Sequence, residues 1–219
     1  MLFDLIINAP VPALYGLLAI ALILLSITLH EFAHAYSATL LGDSTPKVNG
    51  RLTLNPLAHL DLIGTLFMLI GSFGWGKPVP INPFNFKDPR KGSAIVSFSG
   101  PLTNFVFALV IIGAVKVLSF FTAGLSFAYL EYALTTVILV SVGLGVFNLL
   151  PVAPLDGDKI LMFFLPASAR NKIEPFMQRF GLLLLIIMIL PILPGGYSLI
   201  SFVLSPLQHL VLKFLDLIL

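Results

Sequence analysis

The chain alternates long apolar runs with short polar ones, and the runs have the length of membrane helices. Leu5 to Leu29 carries no charged residue and is followed at once by His30-Glu31. Gly92 to Val115 and Tyr132 to Leu155 are charge-free gaps of 24 residues each. Phe180 to Leu212 is a gap of 33, interrupted by Pro191, Pro194, Gly195 and Gly196. A helix needs about 20 apolar residues to cross a bilayer, so three spans are expected, at 12–41, 93–118 and 132–150. The Pro-Gly break divides the last gap into shorter helices at 180–190 and 197–217, giving one or two C-terminal membrane helices. The 15-residue gap from Leu62 to Gly76 is broken by Gly64, Gly71 and Gly74. It is too short for a secure span, and a re-entrant or interfacial segment is expected over 62–74. Strands of a β-barrel alternate in polarity at every residue, and these runs do not.

Composition agrees with the pattern. Only 10% of the 219 residues are charged and 58% are hydrophobic, against about 25% charged in a soluble domain. Mean hydropathy is +1.04. An ordinary soluble enzyme is excluded, and the fold class expected is an all-α polytopic membrane protein. It forms a single integral membrane unit over 1–219, with a core at about 12–166 and a helical part at about 167–219. A net charge of +2 with no basic tract argues against nucleic acid as a partner. The absence of cysteine removes disulfides, thiol nucleophiles and Cys-ligated metal.

The basic residues orient the chain. If the first helix runs outside to inside, then Lys47, Arg51, Lys77, Lys87, Arg90, Lys91, Lys159, Arg170, Lys172 and Arg179 are inside, ten of the twelve Lys and Arg. The positive-inside bias selects this topology over its inverse. A multi-pass protein is expected, located in the plasma membrane with its site nearer the cytoplasmic side.

Ionisable groups within spans are functional suspects by default. The first span contains His30-Glu31-Phe32-Ala33-His34, an H-E-x-x-H pattern. His30 and His34 are four apart and share one helix face, within reach of a single metal ion. Glu31 lies one step round and can reach a water on such an ion without being a ligand. A buried hydrogen-bonded His pair is the bland reading, but three adjacent polar groups without a role would cost several kcal/mol in a span. Gly42 fits the C′ position of the first helix. His34 is then about 12 Å along the axis from the helix end, which places the site nearer the inner surface. A zinc site that works on substrate needs a third protein ligand. The candidates are His59, Asp61, Glu131, Asp156, Asp158 and His209. Asp156 is the best placed, because Pro151 and Pro154 break the third span just before it, on the same side as His34. Its bland alternative is an N-cap for a helix beginning at Gly157.

His30-Glu31-Phe-Ala-His34 together with Asn148-Leu-Leu-Pro151 and Leu155-Asp156-Gly157 resembles the site-2 protease family of intramembrane zinc metalloproteases, peptidase family M50. Arg51-Leu-Thr-Leu-Asn55-Pro56, Gly76-Lys-Pro-Val-Pro80-Ile-Asn82-Pro83 and Ser99-Gly100-Pro101-Leu-Thr-Asn104 support the resemblance, which runs from about 28 to 160 in family order. Asp158 departs from the small residue usual after Asp-Gly, and the form expected is a compact one without a PDZ domain.

The resemblance implies one Zn²⁺ per chain held by His30, His34 and Asp156, with Glu31 as the proton-transferring group. Asn148 and Asn104 become candidates for substrate binding or transition-state stabilisation. The partners implied are transmembrane proteins or peptides as substrates, and the lipid bilayer; the sequence sets no oligomeric state. A substrate helix must unwind before its amides can be attacked. The resemblance suggests a membrane-associated β-hairpin at 74–85 as the edge on which it could extend. A membrane metal-ion transporter or a catalytically silent helix-binding homologue are the alternatives. The first would need ligands along the whole depth, and the outer half offers only Glu131.

Overall fold

The computed structural model of the protein describes residues 12–61, 64, 76–121 and 128–218. Six helices of more than one turn occur among them: α1 (Ala13–Leu40), α2 (Pro89–Phe121), α3 (Ala128–Asn148), α4 (Asp156–Phe164), α5 (Ala167–Ile189) and α6 (Ser201–Ile218). A helical turn, Thr45–Val48, and 3-10 turns at Pro56–Ala58 and Pro83–Asn85 lie between α1 and α2.

Three helices are long and apolar enough to cross a membrane: Ala13–Leu40, Pro89–Leu118 and Ala128–Asn148. They correspond to the three expected spans. Their leucines, isoleucines and alanines are apolar on every side, as befits helices that face lipid or one another rather than water. Leu14, Leu109 and Val110 are at least 60% exposed, a waste of apolar surface in water and an ordinary arrangement in lipid. α2 is the central helix and packs on α1, α3 and α4. The apolar core fills the joint between α1, α2 and α3, with Ala19 and Ile23, then Phe107, Ala108 and Ile111, then Val137 and Ile138. Small residues at these crossings let the helix backbones approach closely.

α2 starts four residues before the expected span. The side-chain oxygen of Asp88 accepts from the backbone N–H of Arg90 and of Lys91, and proline is at home in a first turn. α1 ends as expected, with Gly42 just past it at a φ of +105°.

The C-terminal part departs from expectation. α5 does not begin near 180 but at Ala167, and runs through Pro175 to Ile189. Its first half carries Arg170, Lys172, Glu174 and Arg179, so it is not among the membrane-length apolar helices. The apolar run of α6, Ser201–Leu215, is shorter than a span. The expected re-entrant or interfacial segment over 62–74 lies outside the described residues, apart from Gly64. So do the first two residues of the expected β-hairpin at 74–85. Over 76–85 no strand forms: there is one isolated antiparallel bridge, Leu60 with Gly76, and then extended chain to the Pro83–Asn85 turn. Prolines at 78, 80 and 83 remove the amide donors that a ladder needs.

Candidate metal centre

The H-E-x-x-H helix behaves as its spacing requires. His30 and His34 are on one face of α1, 7% and 6% exposed, with their rings edge to face and centroids 4.6 Å apart. Nε2 of His34 lies 3.0 Å from Nε2 of His30.

Asp156 comes to this pair from the other end of the core. After α3 the chain turns through Pro151 and Pro154, burying Val152 and Leu155 against Leu185 of α5. It then enters α4, of which Asp156 is the first residue. Both ends of α4 are fixed. At the start, a Cβ on Gly157 would collide with the carbonyls of Leu149 and Leu150, so only glycine lets α4 lie this close to the end of α3. At the other end the Arg90 guanidinium donates to the carbonyls of Phe163 and Leu165 at 2.9 and 3.1 Å, satisfying the open end of the helix. The result places Oδ2 of Asp156 3.3 Å from Nε2 of His30 and 3.3 Å from Nε2 of His34. These three residues form the metal-capable group among the described residues, with their ligand atoms all within 4.8 Å of one another.

The donor set fits zinc. Two imidazoles and a carboxylate are common Zn²⁺ ligands, and ligand atoms about 2.0–2.1 Å from an ion at tetrahedral angles stand roughly 3.3 Å apart. The tautomer of His34 also fits. Its Nδ1 is 2.7 Å from the Val96 carbonyl, so Nδ1 carries the proton and the Nε2 lone pair faces the centre. A third observation is the packing of α2 behind the rings. A Cβ on Gly100 would stand 2.5 Å from Nε2 of His34 and 2.7 Å from Cε1 of His30. The α2 backbone therefore forms one wall of the centre, and any larger residue would push the rings off it.

Of the remaining expected site residues, Glu31 is half-buried and accepts no hydrogen bond among the described residues. The backbone at Gly76 passes close by: a Cβ there would be 3.5 Å from Oε1 of Glu31. Asn104, 1% exposed, sits behind the centre, with its Nδ2 3.1 Å from Nδ1 of His30. Asn148 donates to the Leu144 carbonyl of its own helix at 3.0 Å, and no contact joins it to the three ligand atoms. Asp158 is buried and paired with Lys159 at 2.9 Å. His59 is buried, with Nε2 2.8 Å from the Thr53 carbonyl.

Sequence reasoning gave no role at the site to Gly100, Ser26, Ser141 or Arg51. Arg51 is 4% exposed and its guanidinium donates to the carbonyls of Ala58, Lys77 and Pro78. Burial lowers its pKa from the usual value, against a smaller opposing pull from the Glu31 carboxylate. The arginine thus ties the 58–60 and 76–78 segments together beside Glu31. Its one mark in the sequence is its place in Arg51-Leu-Thr-Leu-Asn55-Pro56, a run that carries the family resemblance.

The sequence profile of peptidase family M50 matches residues 18–191. A provisionally named zinc metalloprotease of Bacillus subtilis (strain 168), YwhC, is 38% identical over 185 residues, 81% of this chain and 81% of that protein. Rip2 of Mycobacterium tuberculosis (strain H37Rv), also provisionally named a zinc metalloprotease, is 31% identical over 186 residues, 80% of this chain and 67% of that one. The zinc metalloprotease MJ0392 of Methanocaldococcus jannaschii is 28% identical over 140 residues, 64% of this chain and 32% of that one. No solved structure matches the chain significantly. With a His-His-Asp centre set among three membrane-length helices and the family profile covering most of its length, the chain belongs to peptidase family M50, the site-2 proteases, and is an integral membrane zinc metalloprotease.

Proposed function

We propose that the protein hydrolyses peptide bonds within or near transmembrane segments of other membrane proteins. The observation that carries this reading is the position of the centre: two of its ligands are buried residues of the membrane-length helix α1 and are walled by α2. A substrate that reaches them must come from the membrane or its boundary.

His30, His34 and Asp156 would hold the zinc. When bound, the ion supplies Lewis-acid chemistry, polarising the scissile carbonyl and acidifying a water. Glu31 is the general base. Its carboxylate takes the proton of the attacking water and returns it to the leaving amine, a role that suits an acid to which no hydrogen-bond donor is bound among the described residues. The extended chain from Gly76 onward passes Glu31, where an unwound substrate could lie beside it; Arg51 holds that segment in place. Asn148, at the end of α3, would turn toward substrate only by giving up its bond to Leu144. The ten basic residues on one side of the spans support a multi-pass protein with its centre nearer the cytoplasmic side, and the plasma membrane is its proposed location.

The test is Glu31→Gln in the full chain, reconstituted with a model transmembrane substrate. Cleavage is expected to fall by about 10²–10⁴-fold, with zinc content per chain unchanged. A variant that cleaves at the wild-type rate would remove Glu31 from the mechanism.

A further inference from the structure

Behind His30, away from Asp156, a chain of buried polar side chains crosses all three membrane-length helices. Asn104 of α2 faces Nδ1 of His30 at 3.1 Å. Ser26 of α1 lies 3.4 Å from the other end of the Asn104 amide, and Ser141 of α3 donates to Ser26 at 3.0 Å. Ser26 and Ser141 are fully buried and Asn104 is 1% exposed. Polar side chains placed so deep among apolar helices are costly unless they serve a purpose. Helix association alone does not need them here, because the adjoining joint of Ala19, Ile23, Phe107, Ala108, Val137 and Ile138 is wholly apolar.

We propose that Asn104 is the positioning residue for the zinc ligand His30. Its amide oxygen accepts the Nδ1 proton of His30, which leaves the Nε2 lone pair directed at the metal. The two ends of an amide have the same shape, so a half-turn of the side chain brings Oδ1 to Nδ1 without any change in packing. In that orientation Nδ2 donates to Ser26, which also accepts from Ser141, so the two bonds converge on the Ser26 oxygen. Ser26 and Ser141 hold the amide, and the amide holds the ring. His34 is fixed in the same way by the Val96 carbonyl. Each histidine therefore has an acceptor on its outer nitrogen, the arrangement that fixes tautomer and ring direction in metal sites. Asn104 acts through His30 rather than on substrate, and its carbonyl would be of no use as an oxyanion donor.

This inference rests on His30 being a ligand, and the experiment separates the two ideas. Zinc affinity is measured by chelator competition on the full chain in detergent, for wild type, His30→Ala, Asn104→Leu and Asn104→Asp. His30→Ala should lose tight zinc binding; if it does not, the ligand assignment fails first. Asn104→Leu, similar in volume but without an acceptor, should weaken zinc by about 10–100-fold. Asn104→Asp keeps the shape and the acceptor and should bind within a few-fold of wild type or more tightly. Wild-type affinity in Asn104→Leu would overturn the proposal, since a purely structural asparagine would leave the metal unmoved. If Asn104→Leu does not fold, Asn104→Asp decides alone. A loss of tenfold or more there would mean that Asn104 donates to His30 rather than accepts.

Discussion

Two carboxylates sit at helix ends in this protein, and their surroundings are opposite. Asp43, just after α1, is fully buried. Its Oδ1 accepts from the backbone N–H and hydroxyl of Thr45 at 3.0 and 2.5 Å and from the Asn85 amide at 2.7 Å. Its Oδ2 accepts from the Asn82 N–H at 2.8 Å. Four donors meet two oxygens, and the carboxylate has nothing further to give. Asp156 also sits largely buried, yet its Oδ2 points at two imidazole nitrogens, one of which is held as a bare lone pair by Val96. Where both nitrogens present lone pairs, as a metal ligand must, the three acceptors repel unless a cation lies between them. Burial alone therefore does not tell a structural acid from a metal ligand; the presence or absence of donors does.

The sharpest way to break the contrast is Asp156→Ala. Removing a ligand should weaken zinc by more than the about 10–100-fold that loss of an outer-shell partner costs, and proteolysis should fall to background. Atomic emission on purified protein reads the zinc per chain. Unchanged stoichiometry would move the third ligand elsewhere, with the buried Asp158 next in line.

Gly100→Ala tests the wall of the centre and should have the next largest effect. A methyl 2.5 Å from Nε2 of His34 cannot be accommodated without moving one ring or the α2 backbone. A misplacement of about 1 Å at a reacting centre costs on the order of 10²-fold in rate. The expected result is that loss in substrate turnover, together with weaker zinc. Wild-type turnover would mean that the rings have slack and that α2 is not what sets them.

How much of this could be read from the chain itself follows from what each feature depends on. The pair His30 and His34 was legible because four residues of one helix fix their spacing regardless of the rest of the fold. Asp156 was legible because two prolines and a carboxylate inside an apolar run are costly in lipid unless they build a site. Gly100 was not, since a glycine in a helix means little until it is known which neighbour it faces. Helices that are apolar all round do not reveal their rotation, so the meeting of Ser26, Asn104 and Ser141 was hidden too. α4 entered only as the helix that Asp156 would cap in its alternative reading, and the first half of α5 was not legible, for a different reason. Charge-free gaps find helices that lie in lipid, and Asp156–Arg179 is helical but charged. The prolines in Gly76–Asn85 excluded a helix there, and the same prolines also keep the described part of that segment from forming a ladder.

The smallest effect on chemistry is expected from the other member of the comparison. For Asp43, burial would raise the pKa, but the bonds from Thr45, Asn82 and Asn85 outweigh it and hold the carboxyl below the ordinary carboxylate range. A group whose folded pKa is lowered adds stability that is present above its unfolded pKa, about 3.9, and is lost as pH falls through the folded value. Asp43→Asn keeps the shape and removes the charge. It should cost about 1.5–3 kcal/mol at neutral pH, the scale of hydrogen bonds to a charged group. The deficit should shrink as the pH falls below the ordinary carboxylate range, where the wild type loses its advantage. Melting temperatures of the two proteins in detergent, measured in parallel down the acid range, give that difference directly, because any contribution from the zinc ligands is common to both. Zinc per chain at neutral pH should be the same in the two. A fall in zinc in Asp43→Asn would mean that the turn it braces reaches the metal centre after all, through the segment of Gly76 and Arg51 that passes Glu31. In that case the two carboxylates would belong to one coupled unit.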